Sequence, residues 1–256
     1  APYRLLQLTR RAVDAFQAIL DARNQATALN RLGQALAEIG EWDEGEHVLR
    51  SAVQLAQRIR VPFAELQSAM HLAALLVTSP ETAKWEEAET LVSGMLSTTG
   101  LSAGYRGWAL GIRTQALMHR GKFVEAVEEA RAARALCERL PARRLWIDTL
   151  LTRALLVLGQ TDEARAVCRE IDQMLSLFQG GYIEVNARLA IAEMHMRVGE
   201  IAEARASLHE ALLRIDERVA DIPDEAARHR YLEYVPENKL ARELATKWAG
   251  SSSAAT

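Results

Sequence analysis

Gly121-Lys122-Phe123-Val124-Glu125-Ala126 decides the fold, because near copies of it recur along the whole chain. Gly40-Glu41-Trp42-Asp43-Glu44-Gly45 and Ala83-Lys84-Trp85-Glu86-Glu87-Ala88 come before it. Gly159-Gln160-Thr161-Asp162-Glu163-Ala164 and Gly199-Glu200-Ile201-Ala202-Glu203-Ala204 come after. Measured between their last residues, the spacings are 43, 38, 38 and 40 residues. A fixed period in this range marks stacked helical hairpins, each too small to bury its apolar face alone.

Each copy closes one apolar-periodic stretch and opens the next. The pattern predicts a lone helix over 4–21, carrying Leu5, Leu8, Ala12, Phe16 and Ile19 on one face. Five hairpins follow, at 24–40 with 43–59, 63–77 with 82–97, 103–120 with 123–138, 142–158 with 161–177, and 182–198 with 201–219. Asn24 reads as an N-cap and Gly40 as a helix-ending residue. Pro62 and Pro141 stand where a first helical turn tolerates proline. Thr78-Ser79-Pro80-Glu81 makes one longer turn, and Gly180-Gly181 breaks the chain before the fifth hairpin. Residues 224–248 read as an amphipathic pair covering the last apolar face. The organisation expected is therefore an N-terminal second-helix remnant at 1–22, five repeats at 23–220, capping helices at 221–249 and a disordered tail at 250–256. The lone first helix is what an array cut from a longer protein would show.

The motif explains itself through packing. Gly45, Ala88, Ala126, Ala164 and Ala204 are small, so two helix backbones can approach at each. Leu49, Val92, Cys168 and Leu208 follow one turn later on the same face, with Ala130 as the exception. Trp42, Trp85, Phe123 and Ile201 are placed to plug the hairpin turns. Glu44, Glu87, Glu125, Glu163 and Glu203 all fall in a first helical turn, where the helix dipole favours a carboxylate. Five glutamates at one repeat position are structural, not catalytic.

Composition narrows the function further. In 256 residues, 49% are hydrophobic, ample for a core, and the net charge of -3 argues against bulk phosphate binding and hence nucleic acid. No apolar run approaches the roughly 20 residues a membrane helix needs. Cys137 and Cys168 read as buried thiols. The six histidines, His47, His71, His119, His195, His209 and His229, lack the i, i+4 spacing of a helical zinc site, so no metal is expected. No phosphate-binding glycine motif occurs, and no cofactor is expected. Gly100-Leu101-Ser102-Ala103-Gly104 matches the hydrolase G-x-S-x-G elbow, but a helix precedes it where the elbow needs a strand. Ser102 reads as an N-cap, and no enzyme is expected.

Leu32-Gly33, Gly40, Trp42, Gly45, Leu49 and Ala52, with Gly121, Phe123, Ala126 and Ala133, resemble the tetratricopeptide repeat (TPR). The longer period is similar to the arrays at the C-terminal end of MalT-type bacterial regulators. Arg230-Tyr231-Leu232-Glu233-Tyr234-Val235-Pro236-Glu237-Asn238, with Leu240, Leu244, Ala245 and Trp248, resembles the endings of bacterial Ser/Thr kinases and ATPase-linked signalling proteins. The resemblance implies an all-α, right-handed α-solenoid of about five hairpins acting as a non-enzymatic regulatory module. With no charged-then-apolar leader and no membrane-length apolar run, a cytoplasmic location is expected. The resemblance also implies a concave groove lined by the first helix of each pair. In this chain those positions are Asn30, Gln34 and Glu38; Trp108, Gln115 and His119; Trp146 and Arg153; Asn186, Glu193 and Arg197. Amides and guanidinium groups there suit a protein or peptide segment. A small-molecule sensor and a self-associating homo-oligomer stand as alternatives, and hydrolysis through Ser102 as a distant one.

Overall fold

The computed structural model describes residues 2–177 and 181–253. Among them it forms thirteen α-helices and no strand. The helices are α1 (Pro2–Ala18), α2 (Ala22–Glu38), α3 (Trp42–Arg58), α4 (Pro62–Leu76), α5 (Thr82–Ser97), α6 (Ala103–His119), α7 (Phe123–Leu136), α8 (Pro141–Val157), α9 (Thr161–Leu177), α10 (Glu184–Arg197), α11 (Ile201–Ala220), α12 (Glu225–Glu233) and α13 (Pro236–Ser253). A short 3-10 turn, Gly181–Ile183, leads into α10. Gly180, half of the predicted break there, lies outside the described residues.

Hairpins end as the motif requires. Gly40, Gly121, Gly159 and Gly199 all take positive φ, which costs a residue without Cβ nothing. The next amide then reaches back to an orphan carbonyl, as Lys122 N does to Leu117 O at 2.9 Å. Past the turn, Ala88, Ala126, Ala164 and Ala204 are fully buried, and Gly45 lies between α2 and α4. Trp85 uses its indole N–H at its turn, donating to the Ser79 carbonyl, whereas the Trp42 indole reaches to Tyr234 far along the chain and Ile201 stays exposed. Three of the repeat glutamates do more than serve the helix dipole. Glu44 pairs with Arg10, Glu87 with Arg50 and Glu163 with Arg131, each arginine coming from the preceding second helix.

Two compact units emerge: Ala1–Gly100 with Arg218–Val235, and Leu101–Glu217 with Pro236–Thr256. In the first, α1 packs on α2, and α3 on both α2 and α4. Its core joins Leu6 and Val13 of α1 to Leu32, Leu36 and Val48. In the second, α6 to α10 pack in order around Ile147, Leu151, Leu155, Ile171 and Met194.

Several expectations need correction. The buried face of α1 is Leu6, Thr9 and Val13, with Phe16 half-buried; Leu5, Leu8 and Ile19 are exposed. The N-cap of α2 is Asp21, whose carboxylate accepts from Asn24 N at 3.1 Å, so Asn24 sits inside the helix. The expected closing pair divides between the units. α12 packs on the first hairpin, where Trp42 Nε1 donates to the Tyr234 carbonyl at 3.0 Å and Arg230 meets Glu41 at 2.6 Å. The bare Gly40 makes that seat, since a Cβ there would stand 3.1 Å from the Arg230 oxygen. α13 instead lies against α10, with Arg205 of α11 donating to the Trp248 carbonyl. Helix continues through Ser253 where a tail was expected, because one glycine at Gly250 costs only about 1 kcal/mol; residues 254–256 lie outside the described residues.

The Arg50–Glu87 pair gives a pH test. Two bonds of 2.7 and 2.8 Å from Arg50 hold the Glu87 carboxyl below its ordinary value of 4.5. A carboxyl lowered on folding stabilises above its unfolded pKa, and that stability is lost as pH falls through the folded one. The pair is about 40% exposed, so its worth is at most about 1 kcal/mol. Glu87→Gln should therefore lower the melting temperature by a few degrees at pH 7. In melts at successively lower pH the gap should shrink below 4.5 and close at the acid end; a pH-independent gap would refute the assignment.

Candidate functional site

Arg153, Glu193 and Arg197 come together in the second unit. With Met118, Leu156 and Val157 they line a cleft of about 620 Å³. All six sit near the C-terminal ends of α6, α8 and α10, the first helices of three successive hairpins. Arginine is favoured there by the negative end of the helix dipole. Arg153 Nε meets Glu193 Oε2 at 2.9 Å, with a second contact of 3.4 Å from Nη2 to Oε1. Arg197 is exposed and has no carboxylate partner among the described residues. The lining thus holds two guanidinium groups against one carboxylate. Val157, 56% exposed, supplies an apolar wall beside them.

The other predicted positions do not join this cleft. Trp146 lies across α6, where a Cβ on Gly111 would stand within 3.0 Å of its ring, so it is a packing residue. Trp108 stands at the opposite end of α6, where the Arg143 guanidinium lies 4.7 Å from its ring and 5.0 Å from that of Tyr105. Arg143 and Arg153 are ten residues apart on α8, roughly 15 Å along the axis. Gln115 and Asn186 are half-buried and His119 exposed, none of them in the lining. Asn30, Gln34 and Glu38 belong to the first unit. Asn30 is buried, its Oδ1 without a donor among the described residues, and the Gln34 amide turns back onto the Asn30 carbonyl at 3.1 Å.

The sequence reading missed Met118, Leu156 and Val157. The signal was present for two of them: Leu156 and Val157 follow Arg153 by three and four residues and share its face. It also missed a buried charge cluster nearby. Asp148 is fully buried on α8 and accepts from Arg134 Nε and Arg144 Nε, each at 2.8 Å. Both arginines also reach Glu170, at 2.6 and 2.7 Å. Burial pushes the Asp148 carboxyl above its ordinary range, and the two guanidinium groups pull it only part of the way back. Every member is turned onto another, so the cluster is structural. Cys137 and Cys168 are free and buried, and burial pushes the Cys168 thiol up to about 12, far from a reactive thiolate. Ser102 caps α6 with no side-chain bond to the helix, and α5, a helix, precedes it.

No family model matches the chain, and no curated protein matches it. Solved structures do. The chain is similar to a Rap protein complexed with Competence and Sporulation Factor, at 14% identity and a TM-score of 0.66, over 96% of this chain and 70% of that one. It is also similar to BtubC (BKLC) from P. vanneervenii, at 16% identity and a TM-score of 0.57, over 88% of this chain and 94% of that one. At such identities the likeness speaks for fold alone, and the fold is an all-α, TPR-like helical-repeat array of the solenoid class. Among the described residues no helix is long and apolar enough to cross a membrane.

Proposed function

We propose that the chain is a non-enzymatic scaffold that binds a protein or peptide segment in the cleft between the ends of α6, α8 and α10. One observation carries the reading: two arginines, one already paired with Glu193 and one without a carboxylate partner among the described residues, stand beside an exposed aliphatic wall. A segment bearing a carboxylate next to an aliphatic side chain meets both. Arg197 takes the carboxylate, and Met118, Leu156 and Val157 take the apolar group. Support from the fold comes through the Rap protein, whose structure holds a bound factor. The sequence resemblance extends the proposal to a module of a larger bacterial signalling protein of the MalT or kinase-linked kind, and we place that module in the cytoplasm. The volume alone would admit a small molecule, but a lining half charged and open to solvent favours a segment over an enclosed apolar ligand.

Fluorescence anisotropy with a labelled hexapeptide library, varied in acidic and aliphatic content, tests this on the whole chain. Peptides carrying both features should be selected. Arg197→Ala should weaken them about tenfold, the worth of one charge-assisted bond. Arg153→Ala should weaken them more, since it also leaves Glu193 facing an acidic ligand. Gln34→Ala, in the other unit, should change nothing. Selected peptides whose affinity survives Arg153→Ala and Arg197→Ala together would remove the cleft from consideration.

A further inference from the structure

Part of the face that α3 buries is exposed on α1: Leu5 and Leu8 stand where α3 has the buried Gly45 and Val48, while Thr9 is buried like its counterpart Leu49. Shifted by forty residues, α1 aligns with α3 without a gap, with Ala12 at Ala52, Leu20 at Arg60 and Asp21 at Val61. The backbone repeats as well. Leu20 and Arg60 are the two non-glycine residues with positive φ among those described, at 58° and 55°. Asp21 N bonds Phe16 O as Val61 N bonds Ala56 O, at 2.9 and 3.0 Å. α1 is therefore the second helix of a hairpin, as α3 is.

Their surroundings differ on one side. α3 packs against its own first helix, α2, and against the next one, α4; α1 packs on α2, which is its next one. The positions that α3 turns toward α2 include Gly45, Val48 and Leu49. Val48 is 9% exposed in the core with Leu32 and Leu36, while Leu55 and Ile59, further along, pack against the cluster that joins Ala26 of α2 to Ala64 of α4. On α1 the counterparts of Gly45, Val48, Leu49, Leu55 and Ile59 are Leu5, Leu8, Thr9, Ala15 and Ile19, and all but the buried Thr9 are exposed. Leu8 is 53% exposed and Ile19 69%. The apolar stripe is thus the continuation, one repeat earlier, of an interface the chain builds internally.

From this we infer that the Leu5, Leu8, Ala15, Ile19 face is a docking site for an amphipathic helix of the first-helix type, laid antiparallel to α1. The internal interface sets its chemistry. Where α2 crosses Gly45, it presents Gly33 and Ala37, whose backbone atoms would lie 3.2 and 3.5 Å from a Cβ there. Leu5 replaces Gly45 on α1, so the occupant needs small residues opposite Leu5 and aliphatic ones opposite Leu8 and Ile19. This site is in the first unit and is independent of the cleft in the second.

The probe is a fluorescein-labelled, helix-stapled peptide of residues 21–40, which carries the α2 face. Titrated with the whole chain, it should bind saturably, and the double variant Leu8→Asp, Ile19→Asp should weaken it at least tenfold. Both residues are exposed, so the variant should melt within a degree or two of the parent. Competition for the place of α2 against α3 would leave affinity unchanged in the variant, and that result, like no binding at all, would overturn the inference. Sedimentation equilibrium supplies the other check. A dimer of the chain that the same double variant abolishes would assign the face to a second copy and overturn it too.

Discussion

Asp148→Ala should cost the second unit about 3 kcal/mol, a fall in melting temperature of about 6–12 °C for a chain of this size. The carboxylate is fully buried, and two guanidinium groups point at it from 2.8 Å. Its raised pKa says that pairing does not wholly repay desolvation, so the cluster as a whole adds little net stability. Removing one member is a different matter. Arg134 and Arg144 would then face a void, held only by the half-exposed Glu170. Breaking a buried pair costs about 3–5 kcal/mol, and the partial exposure of both arginines places this one at the low end. Asp148→Asn keeps the volume and one acceptor, so it should lose less. Thermal melts of the three proteins decide it; a loss below about 1 kcal/mol in Asp148→Ala would mean the cluster behaves as a surface network.

Gly107→Val should cost about 2–3 kcal/mol although glycine is a poor helix former. A Cβ on Gly107 would stand 2.5 Å from Cys137 Sγ, 3.0 Å from the Ala133 carbonyl oxygen and 3.1 Å from Leu136 Cβ. Two of those belong to α7 and the third follows it directly. The backbone oxygen cannot yield without moving the helix. Replacing glycine inside a helix would by itself gain a few tenths to about 1 kcal/mol, and overpacking costs about 1–3, more for a branched side chain. The clash wins. Gly94 in α5 is the control: it is exposed with nothing within 4 Å of a built Cβ, so Gly94→Ala should stabilise by about 0.5–1 kcal/mol. Opposite signs in urea unfolding would confirm the pair of expectations, and matching signs would refute them.

These two residues also show where the sequence stops being legible. The helix ends were readable because the motif carries its own stop signal, while starts moved by up to two residues. α2 begins earlier because Asp21 takes the cap instead of Asn24, and α10 later because a 3-10 turn occupies Gly181–Ile183. The small residues of the second helices were readable because they recur. Gly33, Gly107 and Gly111 on the first helices are visible as letters, yet what presses on each, Leu49, Cys137 or Trp146, depends on which helix lies opposite. Trp146 and Arg153 occupy comparable first-helix positions. One turns onto a glycine and the other into a cleft, and no periodicity distinguishes them. Asp148 inside a helix reads as solvated, because its arginines come from four residues before it and from another helix altogether.

The seat of α12 on the first hairpin bears on how the protein is made. A stack of hairpins can form on the ribosome from its N-terminal end, each piece settling on the one just synthesised. Here Trp42 waits for a carbonyl 192 residues later. That first hairpin is completed only once α12 has been made, and until then its turn stands open to whatever chaperone or neighbour finds it.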